Sequence, residues 1–170
     1  MKTTNEKIEY LKNLVFEMDN NACFIERERF LNTLDPNLYC EESPQFFAKV
    51  LSGLLASVSV PVDENDIFVG RVVEGVTNEY EQIPCKILAA KGHMSPNYSK
   101  LLKLGFRGIL QEIKSNAERL GDEKSQIFYQ NAQIVVDAIH FYAKRYAEAA
   151  RKKGLIEAAN ALEKVPYEPA

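Results

Sequence analysis

Apolar residues recur at helical spacing through most of this chain, and the gaps between the periodic stretches carry cap and turn chemistry. Thr3 and Glu6 have the spacing of a capping box, and Ile8, Leu11, Leu14, Val15 and Met18 then line one side of a helix that ends near Asp19-Asn20-Asn21. A second short helix starts at about residue 22, with Phe24, Ile25, Phe30, Leu31 and Leu34 apolar and Pro36 closing it. Ser43-Pro44 supplies an N-cap and a first helical position for a third helix, which buries Phe46, Phe47, Val50, Leu51, Leu54, Leu55 and Val58 and runs to Pro61. The run Ile67-Phe68-Val69-Gly70-Arg71-Val72-Val73 is the β-branched part of the chain and predicts at most one short extended segment near residues 66–73, too little for a sheet. Residues 78–90 read as a helix interrupted by Pro84, with Ile83, Ile87 and Leu88 inward.

The second half is more strongly periodic. Ser95 as N-cap and Pro96 at the first helical position open a long helix with Tyr98, Leu101, Leu102, Gly105, Ile109, Ile113 and Leu120 on one face. Gly105 and Gly108 each cost that helix about 1 kcal/mol against Ala, so a packed neighbour or a ligand is expected to approach the backbone there. Gly121-Asp122 is a turn, and a helix from residue 123 to 153 follows, stopped by Gly154 in the left-handed conformation. Its apolar stripe is Phe128, Ile134, Val135, Ala138, Ile139, Tyr142, Tyr146 and Ala149. Two long helices joined by a short turn predict an antiparallel hairpin. A last short helix spans residues 155–162, before Pro166 and Pro169 end regular structure. The fold class expected is therefore all-α: one multi-helix domain over residues 1–170 containing a long helical hairpin.

Composition narrows the class of function. The 170 residues are 46% hydrophobic and 26% charged, ordinary globular usage with enough length for a core. Lys and Arg total 21 against 24 Asp and Glu, so the broad positive field that selects nucleic acid is missing and no nucleic-acid partner is expected. Three widely spaced cysteines, Cys23, Cys40 and Cys85, form neither a disulfide framework nor a zinc knuckle and fit a reducing cytoplasm. There is no apolar leader and no membrane-length apolar run, so no membrane partner is expected either.

The stretch 92–111, GHMSPNYSKLLKLGFRGILQ, resembles a segment of the glycyl radical enzymes of the pyruvate formate-lyase and diol dehydratase family. Gly92, His93, Pro96, Tyr98, Leu102, Gly105, Gly108 and Ile109 carry the match, with Asn97 where Asp is more usual. Three further segments agree in the same order: DIFVG at 66–70, FYAKRYA at 141–147 and VPYEPA at 165–170, with Cys23, Glu26 and Arg27 agreeing in part with an earlier one. The resemblance implies an N-terminal helical region. The family's catalytic cysteine loop and radical glycine would lie beyond residue 170, and no glycine loop like Arg-Val-x-Gly-Tyr occurs here. By that resemblance the complete protein is a lyase or dehydratase, the chain alone is inactive and holds no cofactor, and the whole needs a glycyl radical installed by an S-adenosylmethionine iron-sulfur activating enzyme. Only 21 residues, 71–91, separate Gly70 from Gly92, where the diol dehydratase branch has a far longer insertion, so the substrate is left open. The implied partner is the rest of the enzyme's barrel or a second copy. The alternative reading is a self-contained helical interaction or oligomerisation protein that kept the scaffold without its chemistry.

Among single residues, His93 is the candidate for substrate binding, because the matching histidine of the diol dehydratase branch resembles a contact to the substrate hydroxyl; the competing reading is a helix-capping or loop histidine. No catalytic residue is assigned. His140, one position off the apolar stripe, reads as a surface or interface histidine, and Arg145 as an arginine whose stem is buried between two helices. Glu26, Arg27, Glu28 and Arg29 read as a solvated face. Cys85 and His93 have no carboxylate or cysteine cluster beside them to make a metal site, and no Gly-Lys-Ser/Thr follows the glycines to make a phosphate loop.

Overall fold

The computed structural model describes residues 3–17, 22–34, 44–66, 69–70 and 96–169. Over these it is all-α, with six helices and no strand among the described residues: α1 (Thr4–Glu17), α2 (Ala22–Leu31), α3 (Pro44–Ser57), α4 (Tyr98–Leu120), α5 (Glu123–Lys152) and α6 (Ile156–Leu162). The predicted helix at 78–90 and most of the extended segment at 66–73 lie outside the described residues.

Local chemistry sets the ends of these helices. At α1 the capping box is complete, with Thr3 N–H donating to Glu6 Oε2 at 2.7 Å and Glu6 N–H to Thr3 Oγ1 at 3.3 Å. Gly121 closes α4 at φ 66°, its N–H donating to Ala117 O, and the next residue, Asp122, caps α5 by accepting from Ser125 N–H at 2.9 Å. Hydrogen bonds from the Ser125 hydroxyl first, and then from the backbone N–H groups of Ser125, Asp122 and Lys124, keep the exposed Asp122 carboxyl below its usual value. Gly154, at φ 78°, ends α5 in a Schellman motif: Leu155 N–H reaches back to Ala150 O and Gly154 N–H to Arg151 O. Two boundaries differ from expectation. Helix α3 stops at Ser57, short of Pro61, and α4 is capped by Asn97, whose Oδ1 accepts from Lys100 N–H at 3.0 Å, while Pro96 precedes the helix. The amide oxygen two residues later than Ser95 satisfies an orphan donor of the first turn.

Helix α5 is the axis of the packing. Antiparallel to it runs α4, the expected hairpin; α3 lies along it with Arg145 Nη1 donating to Leu55 O at 2.8 Å; and α6 folds back on its C-terminal end. Arg145 thus ties two helices, as expected of an arginine whose stem lies between them. One core cluster gathers Val62, Tyr146, Ala150 and Ala159, with Tyr142 edge-on to Tyr146 at 5.2 Å. Ala150 and Ala159 are fully buried, and their small side chains let α5 and α6 approach closely. A second cluster joins Leu31, Phe46 and Val50 between α2 and α3. Gly53 faces Phe30 so closely that a Cβ there would lie 2.6 Å from the ring.

Part of the apolar pattern stays uncovered. Helix α1 buries no residue, and Ile8 and Val15 of its predicted stripe are exposed, Val15 by 60%. Phe47, Tyr98, Leu102, Phe128 and Ile134, expected on buried faces, are exposed as well. By contrast Glu26, expected on a solvated face, is half-buried and accepts from both Ser59 N–H, at 2.9 Å, and Ser59 Oγ. A carboxylate holding the chain just past α3 has taken a structural task.

Candidate functional site

The glycine-bearing helix α4 is where structure departs most from regular geometry. Gly105 has φ 59° and ψ 175°, a combination open essentially to glycine, and α4 is kinked there. In an unbroken helix the N–H groups of residues 106 and 107 would donate to carbonyls four residues back. Here Phe106 N–H donates instead to Pro166 O at 3.0 Å and Arg107 N–H to Tyr167 O at 2.9 Å. Residues 165–168 therefore form a strap across the kink. A Cβ on Gly105 would lie 2.4 Å from Tyr167 O, so the expected close approach is a packed neighbour, the chain's own backbone. Gly108 answers the same distortion, since a Cβ there would come within 2.8 Å of Leu104 Cβ one turn earlier.

Side chains fasten the strap at both edges. Arg107 grips Glu168 with both guanidinium nitrogens, each pair at 2.9 Å, in the bidentate arrangement that suits a planar fork. On the α5 side the Tyr167 ring lies against His140, with centroids 4.3 Å apart and planes inclined by 32°. His140 is half-buried, and its Nδ1 is enclosed with no hydrogen-bond partner. Burial first, and the Lys144 ammonium second, lower its pKa from the ordinary 6.5, with Asp137 acting the other way. The expectation of a surface or interface histidine is thus refined: His140 belongs to an internal contact between α5 and the strap. No feature of residue 140 alone announces this, because its partner is 27 positions away, but the Gly105 break and the Pro-rich end were both visible.

His93, the substrate-binding candidate, lies outside the described residues, as do Gly75, Cys85 and Gly92. Tyr98 and Leu102, which share its segment, point to solvent from the first turns of α4, 63% and 56% exposed. Among the described residues no group of three His, Cys, Asp or Glu is placed to hold a metal ion. An open apolar groove of about 400 Å³ lies between the N-terminal ends of α3 and α5, bounded by Gln45, Glu123, Lys124, Ile127 and Phe128. Its charged groups, Glu123 and Lys124, are exposed on the first turn of α5. No described helix is long and apolar enough to cross a membrane.

A kinked helical hairpin strapped at its glycine defines the class of structure, and comparison with known proteins supplies the family. The model of the pyruvate formate lyase-like family matches residues 82–165, a stretch that takes in α4, α5, α6 and the first residue of the strap. Residues 82–165 therefore belong to the pyruvate formate lyase-like family, as the motifs at 92–111 and 141–147 imply. No curated protein and no solved structure matches the chain.

Proposed function

We propose that this chain is the N-terminal helical part of a pyruvate formate lyase-like glycyl radical enzyme of lyase or dehydratase type, and that its work is positioning and shielding. The observation that carries the reading is the family match over residues 82–165, which covers the whole hairpin and reaches the first residue of the strap. In the complete enzyme a glycyl radical, generated by an S-adenosylmethionine iron-sulfur activating enzyme, would supply hydrogen abstraction through a cysteine. The residues described here do not fit the radical glycine itself. Gly105, the buried glycine, is flanked by Leu104 and Phe106 and pressed against Tyr167 O, unlike the family's glycine loop, so no step is drawn through it. The helices would instead buttress the barrel and keep water from reactive intermediates, with His93 as the residue that reaches substrate once the barrel supplies the opposite wall. A cytoplasmic location accompanies this reading, supported by the three separated cysteines.

Incubating the purified chain anaerobically with an activating enzyme and S-adenosylmethionine should give no glycyl radical doublet in electron paramagnetic resonance. A doublet overturns the reading of an inactive helical part. The second reading, a self-contained interaction or oligomerisation protein, draws on the exposed phenylalanines Phe16, Phe47, Phe128 and Phe141. Both readings expect a dimer or larger species in light scattering, and a clean monomer would count against a large docking face. The length of the source gene's reading frame separates the two.

A further inference from the structure

The strap is held by contacts of three kinds, and only one of them changes with protonation near neutral pH. The two backbone hydrogen bonds at Phe106 and Arg107 carry no charge, and the Arg107–Glu168 contact is an exposed ion pair. The Tyr167 ring rests on an imidazole whose Nδ1 is enclosed without an acceptor. We infer that residues 165–168 are an acid-releasable strap: a proton taken up by the His140 ring loosens Tyr167 from α5 and, with it, the two hydrogen bonds at the Gly105 kink.

The groups acting on the ring are Asp137 and Lys144 from α5 and Tyr167 from the strap, while the charges of Arg107 on α4 and Glu168 on the strap engage each other. None of these gives the enclosed Nδ1 an acceptor. An imidazolium gains some attraction from the face of the Tyr167 ring, but a buried charged donor left without a partner loses more than that gain. Lifting the strap returns the ring to water and removes the penalty. The sign follows from the depressed pKa: the docked form binds fewer protons than the released form, so docking is at full strength above the ordinary histidine value and weakens as pH falls through and below it. This inference concerns the strap alone and is independent of whether the chain serves a radical enzyme.

The amides of Phe106 and Arg107 report the strap directly, because their acceptors are its carbonyls. Hydrogen exchange by NMR on the intact chain, corrected for intrinsic rates, should lose protection at these two amides from about pH 7.5 to about pH 5.5, either side of the ordinary histidine value. Core amides of α5 at Ala143 and Ala147 should keep theirs. In His140→Phe, which retains a ring for Tyr167 but takes up no proton, the acid-induced loss should disappear; His140→Gln serves if that variant does not fold. Equal loss in the variant, or no loss in the native chain, overturns the inference. So does an NMR titration of the native His140 ring with a midpoint at or above the ordinary value.

Discussion

Helices α4 and α5 form one hairpin yet keep their continuity by different means. Helix α5 runs 30 residues without a break, and its small residues Ala143, Ala147 and Ala150 are buried against neighbouring elements. Helix α4, at 23 residues, is broken at Gly105, and two of its N–H groups find their acceptors on a segment some sixty residues further along the chain. Both bear apolar stripes at helical spacing. The difference teaches that a stripe decides whether a helix forms, whereas its path is decided by what competes for its backbone groups.

Gly105→Ala is the sharpest way to break this comparison. An ordinary helical glycine would gain about 1 kcal/mol on changing to Ala. At φ 59°, with Tyr167 O 2.4 Å from the new Cβ, the change should instead destabilise by about 3 kcal/mol, read as a lower urea midpoint. A stabilised variant would mean that α4 prefers to be straight and the strap is dispensable. On the other helix, Ala150→Leu forces bulk into a fully buried position where α6 approaches, and overpacking should cost about 1–3 kcal/mol by the same measurement. An unchanged midpoint would show that α5 and α6 are not closely joined. Asn97→Ala removes the side-chain acceptor at the start of α4 and should cost about 1 kcal/mol; no change would return the cap to Ser95. The smallest effect belongs to Glu168→Gln, which leaves one neutral contact in place of an exposed bidentate pair and should cost at most about 1 kcal/mol, diminishing in high salt.

Much of the architecture is readable from neighbouring residues. The Thr3–Glu6 capping box, the Gly121-Asp122 turn and the Gly154 stop each depend on groups a few positions apart, and each forms as those residues prescribe. The hairpin follows, since two long helices joined by so short a turn have little choice but to lie side by side. The family was legible for a similar reason, because its motifs at 92–111 and 141–147 fall within the matched stretch. His93 lies outside the described residues, so its two readings both stand as proposals.

Burial was less legible. Phe47 and Val50 carry the same signal in the pattern of α3, yet Phe47 is exposed and Val50 buried; Glu26 looks solvated and instead braces Ser59. Periodicity identifies an apolar face without saying how much of it a neighbour covers. The sequence by itself determined the six described helices, the caps at Thr3, Asp122 and Gly154, the hairpin and the family, all of which rest on short-range hydrogen bonding or on contiguous motifs. Only the tertiary structure decided that Gly105 is occupied by the chain's own carbonyls and that His140 meets Tyr167, because those contacts join residues far apart in sequence whose mutual distance no local pattern encodes.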